Sequence, residues 1–199
     1  MLCDTEAFAI PKKDGNIRPL GTCNFIRKVA GAVSLKDNSS AMGKAFSDVQ
    51  LGFERHGTEK IIHSVRLCTE VHREYDAAFP DGINAFNNSS REAALDTAIV
   101  ETPGMFPLLK MLYGQVSKSW FAGCQDGIRS IKCKEGSIQG CTFGPLECAL
   151  AYLKLFRMIF VLICVGYGIS KAFFDDLNMV TTFDKLLEAL SIQVSANHF

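Results

Sequence analysis

Apolar and polar positions along this chain switch between strand-like and helix-like spacing, and no strand–helix–strand rhythm repeats. Residues 8–20 read as a strand, a turn at Lys13-Asp14-Gly15-Asn16 and a second strand ending at Pro19. Ile61, Val65 and Cys68 fall on one helical face, and Thr58 stands where a capping hydroxyl is wanted. Ser89 and Glu92 have capping-box spacing and open a helix through Ala94, Ala98 and Ile99, which Pro103-Gly104 ends. A short helix over 108–113 follows. Residues 120–124 and 128–133 flank Gln125-Asp126-Gly127, a hairpin signal. Pro145 fits the first turn of a long helix running to about residue 160. Residues 171–183 read as strand, Asp-Asp turn and strand. Phe183, Leu186, Leu187 and Leu190 mark a last amphipathic helix, with a short terminal strand at 192–194. Such a mixture predicts an α+β fold, not a doubly wound sheet.

Composition narrows this picture. With 199 residues, 48% of them apolar, the chain can bury the core of one domain or two small lobes. The most apolar run, 158–169, is shorter than the ~20 residues of a membrane span. Lys154 and Arg157 flank it, so it reads as buried core and no membrane association is expected. The eight cysteines include no C-x-x-C pair, and Cys124, Cys133, Cys141 and Cys148 are spaced irregularly for a zinc framework. Reduced thiols in a cytoplasmic or nuclear protein fit this usage, and the N-terminus has no leader pattern. Net charge is zero, which speaks against a globally basic nucleic-acid binder. Any nucleic-acid groove must be local, and Lys12, Lys13, Arg18, Arg27 and Lys28 make the first segment the most basic.

Three stretches could carry chemistry. They are Asp81-Gly82-Ile83-Asn84-Ala85-Phe86-Asn87, then Gly136-Ser137-Ile138-Gln139-Gly140 followed by Gly144-Pro145-Leu146, and then Phe173-Phe174-Asp175-Asp176. Each has an ordinary explanation when taken singly: a turn residue, a loop and a solvated hairpin tip. Together and in this order they resemble motifs A, B and C of reverse transcriptases. The flanks agree: Arg18-Pro19-Leu20 is similar to a fingers segment, and Gln50-Leu51-Gly52-Phe53 with Gly57 and His63-Ser64-Val65-Arg66 resembles the stretch before motif A. Asn84-Ala85-Phe86-Asn87 with Ser90-Arg91 is similar to a run common in non-LTR retrotransposons, and residues 194–198 resemble motif D.

The resemblance, which covers about residues 8–199, implies an RNA-directed DNA polymerase. Its fold would be a right-hand palm, an antiparallel sheet with helices on one face, plus partial fingers. Residues 1–70 would be fingers and 71–199 palm, with fingers-derived helices inserted around 89–117. The thumb and endonuclease of a longer polyprotein would be missing. Asp81, Asp175 and Asp176, with the carbonyl of Gly82, would hold two Mg²⁺ or Mn²⁺ ions. Nucleotide addition is an in-line displacement that two ions ~3.5–4 Å apart stabilise at both oxygens, and hard cations want carboxylate oxygens. Phe86 would lie under the sugar and exclude a 2′-hydroxyl, favouring dNTPs. Gln139 and Gly140 would lie under the templating pair. Arg18, with Lys12 or Lys28 assisting, would meet the triphosphate, and His198 stands where motif D carries a lysine, a candidate general acid. The partners implied are an RNA template, a DNA primer and dNTPs.

The chain departs from the family at Pro80 directly before Asp81, at Cys141-Thr142-Phe143 after the motif B glycine, and at His198. These departures keep a catalytically inactive nucleic-acid-binding remnant open. An RNA-templated RNA polymerase, which Phe86 speaks against, and an unrelated metal-dependent phosphohydrolase also remain.

Overall fold

The N-terminal segment pairs with itself. In a computed structural model, β1 (Thr5–Pro11) and β2 (Ile17–Cys23) run antiparallel with Thr5 opposite Cys23 and Pro11 opposite Ile17, extending the predicted hairpin at both ends. The model describes residues 4–11, 13, 15, 17–82, 84–124, 127–137 and 139–196, with backbone alone at 18, 19 and 122–124. The Asn24 side chain accepts the Ile26 N–H at 2.8 Å and starts α1 (Phe25–Asp37), after which α2 (Ser39–Phe46) follows. α3 (Gly57–Val71) starts from His56 at φ 60°, so Thr58 lies inside the first turn and is not its cap. Its predicted stripe holds, with Ile61 and Cys68 buried.

β3 (Asp76–Ala78) and the single turn α4 (Ala85–Asn88) come next. α5 (Arg91–Glu101) is capped by Ser90, whose hydroxyl accepts the Ala93 N–H at 3.2 Å. The predicted cap, Ser89, is one residue early because its hydroxyl is used elsewhere. α6 (Phe106–Tyr113) carries Pro107 in its first turn, and β4 (Ser117–Cys124) with β5 (Gly127–Cys133) forms the predicted second hairpin. Two residues of that turn, 125 and 126, lie outside the described residues, as do 14 and 16 of the first. α7 (Gly144–Cys164) begins on Pro145 as predicted and outruns its predicted end. β6 (Ile169–Phe173) and β7 (Asp176–Thr181) then lead to α8 (Phe183–Ala196). The predicted strand at 192–194 is instead the last turn of α8. Continuing the helix satisfies its backbone groups, whereas a lone strand would need a neighbour.

The chain forms two compact units. The first takes residues 1–39 and 84–151 and holds a four-stranded sheet in the order β2-β1-β4-β5. β1 and β4 are parallel there, with Thr5 opposite Ser119. Met105, Leu109, Leu112, Phe143, Leu146 and Leu150 are its largest fully buried side chains. Each such burial is worth about 1.5–3 kcal/mol.

The second unit takes residues 40–83 and 152–199 around an antiparallel sheet in the order β3-β7-β6. Gln50 bridges Ala172 in parallel on the outer edge of β6. Ser170, Ala172, Leu177 and Met179 are buried, with Phe156, Ile159 and Ile163 of α7 and Leu186 of α8. α3 lies against β6 and β7, and α8 against β3 and β7. The predicted α+β class is thus the observed one. Two details differ. Met158, Val161 and Val165 of the apolar run are exposed, because α7 buries only its Ile159–Ile163 side here. α8 buries Leu186 and Ala189 while Phe183 and Leu187 face solvent. Among the described residues no helix is long and apolar enough to cross a membrane.

Candidate active site

A strand pair sets out the acidic residues of the second unit. Phe173 pairs with Asp176 across a two-residue loop of Phe174 and Asp175. Phe174 has φ 58° and Asp175 is not in the left-handed region, the φ pattern of a type II′ hairpin turn. The predicted turn is therefore one residue earlier than an Asp-Asp loop, and Asp176 opens β7. On its other side β7 pairs with β3, Ala78 opposite Met179. The chain leaves the sheet there, three residues short of where the same register would set Asp81 opposite Asp176. Pro80, unsuited to a central strand, thus sits beyond a short edge strand and breaks no ladder.

The three carboxylates feel one another. Burial pushes the Asp175 carboxyl up from its ordinary pKa, and the Asp176 and Asp81 charges push the same way. Burial and the Asp81 charge likewise raise Asp176. Asp81 and Asp176 also line one cavity of about 360 Å³ with Phe79, Phe173 and Asn178. These are hard oxygen donors under mutual repulsion, the chemistry a divalent cation relieves. Among the described residues, however, no three His, Cys, Asp or Glu side chains are grouped tightly enough to hold an ion as they stand. The donor set fits Mg²⁺ or Mn²⁺ in kind.

The first unit gathers a second set of predicted residues. Phe86, Gln139 and Gly140 line one cavity of about 440 Å³ with Cys141, Thr142 and Pro145. Backbone bonds build it: Ser137 N–H donates to Phe86 O at 2.7 Å, Gly136 N–H to Ser89 O at 2.8 Å, and Gly21 N–H to Gln139 O at 2.8 Å. Gly140 has φ 102°, and a Cβ there would lie 2.3 Å from Gly21 O, so only glycine allows β2 to approach this loop. Lys13 and Lys28 are exposed. Lys12, the Arg18 side chain and His198 lie outside the described residues.

Sequence reasoning assigned no role to three residues that hold these segments. Arg91 is buried and donates to Gly136 O at 2.7 Å, to Gln115 O and Cys133 O at 3.2 Å each, and to Ser117 Oγ at 3.1 Å. Glu147, also buried, accepts from Ser89 Oγ at 2.8 Å. Burial pushes its carboxyl up to about 7, against the Ser89 bond and the Arg91 charge. Gln50 grips the Phe174 backbone. Arg91 and Gln50 both lay inside the family-like runs, which was the available signal.

No protein-family model and no curated protein matches this chain. Solved structures do. Apo telomerase from Candida tropicalis, truncated from its C-terminal domain, matches with a TM-score of 0.68 at 12% identity, over 98% of this chain and 47% of that one. Telomerase from Candida albicans, in complex with a TWJ fragment of telomeric RNA, matches at 0.70 and 11%, over 98% of this chain and 40% of that one. The Candida tropicalis enzyme with such a fragment matches at 0.70 and 12%, over 99% and 38%. The chain spans less than half the length of the telomerase chains it matches. At these identities the likeness is one of fold: this chain shares the fold of the matching part of these telomerase chains.

Proposed function

We propose that this chain is the fingers-and-palm part of an RNA-directed DNA polymerase of non-LTR retrotransposon type, acting on an RNA template, a DNA primer and dNTPs. The observation that carries the reading is the β6–β7 hairpin. It brings Asp175 and Asp176 into electrostatic contact with Asp81 across 94 residues of sequence inside a reverse-transcriptase-like fold. Residues 1–70 are fingers and 71–199 palm, with fingers-derived helices around 89–117. Asp81, Asp175, Asp176 and the Gly82 carbonyl hold the divalent ions, which when bound polarise the phosphoryl group and favour an ionised 3′-oxygen. The protein's own part is positioning. Phe86 bars a 2′-hydroxyl, Gln139 and Gly140 support the templating pair, and Arg18 with Lys12 or Lys28 orients the triphosphate. His198 is the candidate acid toward the leaving group.

The test is primer extension on an RNA template with Mg²⁺, using the chain alone and with a thumb appended. Incorporation of dNTPs that Asp175→Asn abolishes is expected. No incorporation in either form, or incorporation indifferent to Asp175→Asn, overturns the reading. A second reading, an inactive nucleic-acid-binding remnant, is favoured by the absence of a ready-made three-ligand cluster among the described residues. It requires salt-sensitive binding of an RNA–DNA duplex with no Mn²⁺ uptake.

A further inference from the structure

Phe174 is the non-glycine residue that opens the acidic turn in the left-handed region, at φ 58°. A side chain with a Cβ is disfavoured there, so something must hold it. Phe174 N–H donates to Gln50 Oε1 at 2.7 Å, and Gln50 Nε2 donates to Phe174 O at 2.9 Å. One primary amide thus grips both backbone groups of one residue. The same Oε1 accepts the Gly52 N–H at 3.0 Å, and two N–H donors on this atom fix which way the amide points.

The gripping residue is itself fixed. Gln50 is 1% exposed. Its neighbours join the edge of β6, Leu51 N–H to Ala172 O at 2.8 Å and Ala172 N–H to Val49 O at 2.7 Å. The Phe174 ring is held too: Phe53 meets it edge-on at 5.3 Å and stacks on Phe46 at 4.9 Å. A Cβ at position 52 would lie 2.6 Å from the Phe174 ring, so Gly52 is needed for this approach.

We infer that Gln50 is a positioning residue for the acidic hairpin: by holding Phe174 in its left-handed conformation it sets the direction in which Asp175 and Asp176 present their carboxylates. The amide has two of its acceptor bonds and one donor bond committed to backbone, so it acts through the turn and not on a substrate. The kinetic part of this inference rests on the polymerase reading, and the structural part does not.

The test uses Gln50→Met, which keeps the volume and removes the bonds, and Gln50→Met combined with Phe174→Gly, which frees the turn from its need for a clamp. Amide hydrogen exchange is read at Phe174, with Met179 of the adjoining strand as reference. Exchange at Phe174 should rise at least about tenfold in Gln50→Met while Met179 is unchanged, because a part-buried N–H has lost its acceptor. Mn²⁺ affinity should fall about tenfold and recover in part in the double variant. If the polymerase reading holds, kcat should fall with KM for dNTP little altered, and recover likewise. Unchanged exchange at Phe174, or a rise shared equally by Met179, overturns the inference, as does a double variant weaker in Mn²⁺ binding than Gln50→Met alone. A wild type that neither polymerises nor binds Mn²⁺ removes the polymerase reading, and the exchange measurements alone then decide the role of Gln50.

Discussion

The two cavities that gather the predicted residues are built on opposite electrostatic plans. Around Phe86 and Gln139 the charges are buried: Arg91 has an acceptor for each of its guanidinium nitrogens, and Glu147 has the Ser89 hydroxyl on one oxygen, too little to offset its burial. Around Asp81 and Asp176 the acidic groups are only partly buried, and the Asp81 charge adds to burial in raising Asp175 and Asp176. Buried polar groups that are satisfied rigidify a segment, whereas like charges held together store a repulsion that a cation can release. The first plan fixes shape without a ligand. On the proposed reading, the second is completed by a cation.

The comparison breaks most readily at Arg91. Arg91→Met should destabilise the fold by about 3–5 kcal/mol, because the buried Gly136 carbonyl and two partly buried ones lose their donor at once. Urea denaturation checks this, and a loss under about 1 kcal/mol would show that the first cavity does not depend on its buried charge.

Glu147 gives the next largest effect. Its folded pKa of about 7 lies above the ordinary 4.5, so the folded state holds the proton more tightly than the unfolded chain. This contribution to stability is fully present below about pH 4.5 and is lost as pH rises to about 7 and beyond. Glu147→Gln should flatten that decline and stabilise the protein at pH 8 by up to about 3 kcal/mol, read as a melting-temperature gain of several degrees. No gain at pH 8 would mean that the carboxylate is better satisfied than its burial implies.

Phe86→Val sharpens the comparison on the functional side. Clash of a ring with a 2′-hydroxyl costs roughly 1–3 kcal/mol, so wild-type discrimination against rNTPs should be about tenfold to a hundredfold, and the variant should lose most of it while keeping dNTP use. Single-nucleotide extension with each substrate measures this. Equal use of rNTPs by the wild type would instead favour an RNA polymerase.

Asp175→Asn should have the smallest effect on the metal-free protein, a stabilisation under about 1 kcal/mol as one repulsive charge is removed from a partly solvated group. Its main consequence is differential. Mn²⁺ at a hundred times its Kd should stabilise the wild type by about 2.7 kcal/mol and the variant much less, seen as a lost thermal shift. Equal shifts would place the ion elsewhere.

The sequence carried the strands and helices with strong periodicity or a clear turn: the N-terminal hairpin, α3, α7 on Pro145, and the acidic hairpin to within one residue. Ile192 and Val194 misled because three residues cannot separate a strand from the end of a helix. Ser89 has capping-box spacing with Glu92, but its hydroxyl bonds Glu147, 58 residues away, and Ser90 caps α5 instead. Gln50 and Phe174 are 124 residues apart, and neither spacing nor residue type announces such a pairing. What local spacing encodes was readable; what depends on distant backbone groups was not.

The three-residue strand β3 has its ladder with β7 alone. During synthesis, Asp76–Ala78 leaves the ribosome long before Met179–Thr181, and until then its backbone groups have only water as partners. Pairing so distant in sequence closes late and slowly. The strand that leads to Asp81 therefore cannot dock, and the three carboxylates cannot be brought together, until residues about a hundred positions further on have been made.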